Sequence, residues 1–270
     1  MGVFNIISEN PWDLRDVIWT KTAGSVATDG VYMKAEKCVD GVNHYLKLSN
    51  YDSYRGIFGH ESVNELIAER LGAFLGFNVP EGFLKHCLVT LDGRDFDSFV
   101  YAAKSFRTSG SRWAFDGFYV DNRLSPNESP LDFCRRFGWA DEIYKMFIFD
   151  YLIINRDRHG ANLEVMKNGE KRLSPLFDNG ISFVCTCLNS DEVTAFNKNE
   201  DRPVNNFIGE KRLALNLKHI DKPVVFNELK ESHRAELFEG LSGILPDSYY
   251  ETIWDIIQMR WEDVKEFRVA

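Results

Sequence analysis

An apolar helical stretch, Asp141 to Ile154, runs straight into the polar segment Asn155-Arg156-Asp157-Arg158-His159-Gly160-Ala161-Asn162, and the β-type run Leu163-Glu164-Val165 follows at once. No other part of the chain constrains the fold as much, because a charged loop must here be held between two apolar elements. Past a turn at Asn168-Gly169, the run Leu173-Ser174-Pro175-Leu176-Phe177 is expected to be an apolar strand that delivers Asp178 at its end, followed by Asn179-Gly180, residues tolerant of unusual backbone angles. Either polar element alone reads as an ordinary solvated loop. Their order, with one hairpin between them, points to a shared site.

The upstream half alternates short β-type runs with turn residues. Gly30 to Lys34 and His44 to Leu48 are expected to form a hairpin about Asp40-Gly41. From Ser62 to Leu75 the apolar residues Val63, Leu66, Ile67, Leu71, Phe74 and Leu75 recur at helical spacing, and Gly76 supplies the stop. Cys87 to Thr90 and Phe99 to Ala103 read as strands around Asp92-Gly93. Downstream, Leu131 to Phe137, Asp141 to Ile154, Val225 to Leu241 and Ser248 to Val264 carry helical periodicity or composition. The fold class is therefore α+β: a small β-rich N-lobe with one helix, spanning 1–104, and a larger, mainly helical C-lobe, spanning 105–270, with a ligand cleft between them.

Composition removes several alternatives. At 270 residues the chain can build a core without disulfides or structural metals, and its five cysteines are scattered, without the paired short spacings of a zinc site. A formal charge of -9 argues against direct nucleic-acid binding, so any phosphate site must be local. No stretch has the unbroken apolar length needed for membrane insertion, and Met1 to Asn10 lacks the basic flank and long apolar run of a secretory signal, which makes the cytoplasm the expected compartment.

Phosphoryl transfer requires a carboxylate beside the attacking hydroxyl and oxygen ligands for magnesium on a rigid loop. Asp157 supplies the first. Asn162, five residues on, can turn its side-chain oxygen to a metal, and Asp178 can be a second ligand; magnesium keeps waters and shares substrate phosphates, so these two suffice. Lys47 in Tyr45-Leu46-Lys47-Leu48 alternates away from its apolar neighbours and can reach phosphates from a strand. Glu65 on the following helix can pair with it, with Glu61 and Glu69 as competitors one turn away. Thr22 to Gly30, including Gly24 and Ser25, is the one stretch small enough for backbone amides to cover an anion.

These residues together resemble the HipA/CtkA-like bacterial serine/threonine kinases, whose catalytic motifs are also similar to those of phosphoinositide 3-kinases. The match is carried by Asp157-Arg158-His159-Gly160-Ala161-Asn162, Phe177-Asp178, Tyr45-Leu46-Lys47-Leu48 and Glu61-Ser62-Val63-Asn64-Glu65. The resemblance implies a bilobal protein-kinase-like fold, ATP and Mg2+ as cofactors, and a protein Ser/Thr hydroxyl as acceptor. It implies Asp157 as catalytic base, Asn162 and Asp178 as metal ligands, Lys47 with Glu65 at the phosphates, and the adenine against the connection from Ala102 to Phe106, at Ala103 and Ser105. The length favours the compact CtkA-like form over full-length HipA toxins, and Asn179 stands where protein kinases carry the phenylalanine of Asp-Phe-Gly. A lipid or small-molecule kinase and a nucleotide-binding pseudokinase are the alternatives. Asn189 to Asn206, expected to border the acceptor site, lacks the basic cluster that an inositol phosphate would need.

Overall fold

The computed structural model of the chain describes residues 5–21, 32–107 and 110–269. Along its first part lie β1 (Trp12–Leu14), β2 (Lys34–Val39), β3 (Val42–Lys47), β4 (Asn50–Asp52), β5 (Gly56–Phe58), α1 (Glu61–Phe74), β6 (Gly82–Leu91) and β7 (Arg94–Lys104). Five of these strands form one sheet in the order β1-β6-β7-β3-β2, with β1 parallel to β6 and the remaining neighbours antiparallel. Asp40 and Gly41 take φ of 50° and 78°, a two-residue turn whose twist suits a hairpin and which pairs Val39 with Val42. That turn corrects the expected first strand: the upstream arm is Lys34–Val39, not Gly30 to Lys34, and Gly30 and Val31 lie outside the described residues. Its register sets Lys34 opposite Lys47.

Alternation along β3 gives the sheet two different faces. Leu46 joins Leu14, Ala35, Val89 and Ala102 in a small outer core. Tyr45 packs against the main core, which runs from α1 and the inner sheet face (Leu84, Tyr101, Ala103) into the helical half.

The second part holds β8 (Ser111–Ala114), α2 (Phe115–Asn122), α3 (Pro130–Arg136), α4 (Ala140–Ile153), β9 (Asp157–Arg158), β10 (Glu164–Asn168), β11 (Glu170–Leu173), α5 (Ser190–Thr194), β12 (Asn205–Asn206), α6 (Leu213–Leu217), β13 (Val224–Val225), α7 (His233–Leu237), α8 (Asp247–Val264) and β14 (Arg268–Val269). At its centre α4 buries Ile143, Met146, Phe147, Ile148, Phe149, Leu152 and Ile153, a helix apolar nearly all round and hence internal. The helix expected over Val225 to Leu241 is largely absent. Val224 and Phe226 are buried while Val225 is exposed, a period of two, and Val224–Val225 pairs with Arg268–Val269. Asn227 then spends its backbone N–H on Leu75 O (2.9 Å) and its side-chain amide on Phe74 O (2.9 Å), capping α1 rather than starting a helix of its own. Among the described residues no helix is long and apolar enough to cross a membrane.

His60 joins the two halves, its ring edge-on to that of Tyr249 in α8 at 5.0 Å. Burial pushes its pKa down from 6.5 to about 4, against a smaller upward pull from the Val184 backbone. The folded imidazole thus stays neutral where the unfolded one has already taken up a proton. Stability is complete above about pH 6.5 and falls as the pH drops toward 4, by about 3 kcal/mol in all at 1.36 kcal/mol per unit. Urea unfolding at pH 7 and pH 5 should show about 2 kcal/mol of this loss in the wild type and a smaller one in His60→Gln; equal losses would place the titration elsewhere.

Candidate active site

Three separate elements meet at Lys47. Its Nζ donates to Glu65 Oε1 of α1 at 2.6 Å and to Asp178 Oδ1 at 2.9 Å. Lys34, brought alongside by the β2–β3 register, lies 3.5 Å from Asp178 Oδ2. Burial alone would lower the pKa of Lys47, but the carboxylates of Asp178 and Glu65 outweigh it and raise the value. Burial would likewise raise that of Asp178, and Lys47 and Lys34 instead hold it well below the usual carboxylate range. Lys47 and Asp178 are thus each held in the charged form, in a site where water screens them poorly.

Glu65 has this position because its neighbours are committed elsewhere. Glu69 accepts from Tyr101 Oη (2.6 Å) and from the Gly82 N–H (2.9 Å), and Glu61 accepts from the Asn50 N–H (3.1 Å). The second oxygen of Glu65 takes the Asn179 N–H at 3.0 Å, while Asn64 Nδ2 donates to the carbonyls of Gly180 and Ser182 at 3.1 and 3.0 Å. One turn of α1 thereby grips the loop that carries Asp178. This loop is not the strand end expected: β11 stops at Leu173, Ser174 and Leu176 donate their N–H groups to Glu164 O and Asn78 O, and Asp178 takes a left-handed φ of 60°. Pro175 cannot donate to a ladder, which ends the strand early.

The polar segment is organised around a buried arginine. Arg158 spans both carboxylate oxygens of Asp150 on α4 (Nη2–Oδ1 2.8 Å, Nε–Oδ2 3.1 Å), and its other N–H groups reach Asn162 O (3.2 Å), Phe177 O (2.7 Å) and Asn179 Oδ1 (2.7 Å). The loop and the Asp178 segment are thus held by one guanidinium. Asn162 Nδ2 donates to Asp157 O at 2.8 Å, which leaves its Oδ1 without a donor among the described residues. The Asp157 carboxylate is partly exposed, accepts from Asn205 Nδ2 at 3.1 Å and lies 3.7 Å from His159 Nε2. His159 Nδ1 accepts the Ala161 N–H at 3.1 Å, a contact within the loop. Gly160 is required by close approach: a Cβ there would meet Asp116 Cβ at 2.5 Å.

Ala103 lies on β7 directly beside Tyr45, and the Ser105 N–H donates to Asn43 O at 2.8 Å. Gly24 and Ser25 lie outside the described residues. Sequence reasoning missed Lys34, although the same-face alternation that selects Lys47 would have found it once the hairpin register was known. It also missed the pair Arg107–Glu164 (2.6 Å), whose guanidinium lies 4.4 Å from the centre of the Tyr45 ring. Among the described residues no cluster of three or more His, Cys, Asp or Glu could hold a metal by itself.

No protein-family model and no curated protein matches the chain. Solved structures do. The Helicobacter pylori proinflammatory kinase CtkA superposes with a TM-score of 0.60 at 15% identity, covering 96% of each chain. HipA, in a complex with HipB and operator DNA from the Shewanella oneidensis MR-1 toxin–antitoxin system, matches at 14% identity and a TM-score of 0.42, over 91% of this chain and 58% of that one. The architecture, a curled β-sheet part followed by a helical part, is that of the CtkA kinase, and the resemblance read from the sequence holds at the level of the fold.

Proposed function

Starting from a fold shared with a kinase, we propose that this chain is an ATP-dependent protein kinase that phosphorylates serine or threonine. The observation that carries the reading is the position of Lys47, whose ammonium bridges Glu65 on α1 and Asp178 on the loop after β11. An ammonium fixed between two carboxylates has a set direction, and a triphosphate entering there exchanges one carboxylate for phosphate oxygens. Lys34 adds a second cation to the same point.

Magnesium fits the donor set. Asp178 and the unengaged Oδ1 of Asn162 are hard oxygen donors, and a metal that keeps waters and shares phosphates asks for no carboxylate cage. When bound, the ion neutralises charge on the phosphates. The chain's own residues then have distinct tasks: Lys47 and Lys34 orient the phosphates, Glu65 holds Lys47, and Arg158 keeps the two polar loops at a constant spacing. The acceptor hydroxyl forms the new P–O bond as the bond to the departing ADP breaks, and its proton passes to Asp157. Residues 1–104 serve as the nucleotide lobe and 105–270 as the catalytic lobe.

The test is incubation with labelled ATP, Mg2+ and a cell lysate, followed by mass spectrometry of labelled proteins. Phosphoserine or phosphothreonine is expected. Lys47→Ala should lower labelling by about a hundredfold and abolish the thermal shift produced by ATP. Labelled lipid without labelled protein would overturn the protein assignment, and no transfer at all would overturn the kinase reading.

A further inference from the structure

Beside Asp157 the surface opens into a cleft of about 530 Å³. Asp157 lies on its wall together with Arg156, Lys211, Ile181, Pro203 and Val204. Two of these residues are cations with no carboxylate in ion-pair range among the described residues. Lys211 Nζ donates to the Asn206 carbonyl at 2.9 Å, and Arg156 Nε is buried with no hydrogen-bond partner among them. The cations at the nucleotide end differ. Lys47, Lys34 and Arg158 each have a carboxylate within 3.5 Å or less. Other cations of the chain, Lys167 and Arg172 among them, also lack a carboxylate in range among the described residues; what sets Arg156 and Lys211 apart is that they share a wall with Asp157.

We infer that this cleft is the acceptor site and that it selects a serine or threonine flanked by an acidic side chain, carboxylate or phosphate, which Arg156 and Lys211 bind. The inference rests on the kinase reading, since Asp157 must be where the acceptor hydroxyl arrives. From there the reach is short: an extended chain advances about 3.3–3.6 Å per residue, so the acid must lie within roughly three residues of the hydroxyl. The occupant is a polypeptide. Small metabolites are held in pockets that enclose most of their surface, whereas this cleft is open to solvent and offers Ile181, Pro203 and Val204 as apolar wall for neighbouring side chains. The polar stretch Asn189 to Asn206 supplies part of that wall.

The experiment is a synthetic peptide array containing one Ser or Thr, with Glu, phosphoserine, Ala or Lys at each of three positions on either side, assayed with labelled ATP and Mg2+. The wild type should favour Glu or phosphoserine over Lys by about tenfold or more in kcat/KM at one position at least. In Lys211→Glu and in Arg156→Gln the ratio of acidic to basic peptide should fall to about twofold or invert, each ratio being internal to one variant. The thermal shift produced by ATP, retained in both, shows that they fold. Transfer to peptides or lysate proteins with no preference for acid, or a preference unaltered in both variants, overturns this inference alone. Transfer to no acceptor overturns it together with the kinase reading.

Discussion

Asp157→Asn is expected to lower phosphoryl transfer by roughly 10²–10⁴-fold, the range assigned to a positioned general base, while the protein stays folded and still binds ATP. The side chain supports this separation of chemistry from stability. Asp157 is partly exposed, and among the described residues its carboxylate makes one hydrogen bond, as acceptor from Asn205 Nδ2 at 3.1 Å. An asparagine of the same shape keeps an oxygen for that donor. What holds the loop is elsewhere: the Asp157 N–H donates to Asn155 Oδ1 at 3.1 Å and its carbonyl accepts from Asn162 at 2.8 Å, and neither contact involves the substituted atoms. The stability change should stay within about 1 kcal/mol, as for a substitution that empties no buried site. Single-turnover assays with labelled ATP separate binding from transfer. An unchanged transfer rate would remove Asp157 from the mechanism.

The opposite result is expected at Arg158. Arg158→Ala should cost about 3–5 kcal/mol, the range for breaking a buried ion pair by removing one partner. Arg158 and Asp150 are 2% and 1% exposed. Burial works against the charged guanidinium, and the adjoining Asp150 carboxylate more than compensates, so the arginine remains fully charged. Truncation would leave that carboxylate with Asn155 Nδ2 (2.9 Å) as its side-chain donor and would orphan Asn179 Oδ1 and the Phe177 carbonyl. Arg158→Met with Asp150→Leu removes both charges and keeps the volume, so the double variant should recover part of the loss in urea unfolding while transfer stays impaired, because the loops are no longer tied to each other. A single truncation costing less than about 1 kcal/mol would mean that the loops are held by something other than Arg158.

Much of the architecture was legible because local chemistry specifies it. Helical spacing located α1 within one residue at each end, and the αL residues at Asp92 and Gly93 made the β6–β7 turn where that dipeptide announced it. The Val225 to Leu241 stretch misled, since its residues are shared out among a two-residue strand, a cap on α1 and a five-residue helix. Composition cannot separate those uses, because each depends on a partner far along the chain.

The site divides the same way. Residue type and order put Asp157, Asn162, Asp178 and Lys47 forward as a group, with Glu65 ahead of Glu61 and Glu69 as the lysine's partner, since carboxylate, amide and ammonium in that arrangement have few other uses. Tertiary structure decided which glutamate of three meets the lysine, that Lys34 joins it, and that Arg158 ties the two loops together. Those outcomes turn on strand register and on which face of α1 the Asp178 loop lies against, and charge pairing over such separations acts only after folding has brought the groups within a few ångströms.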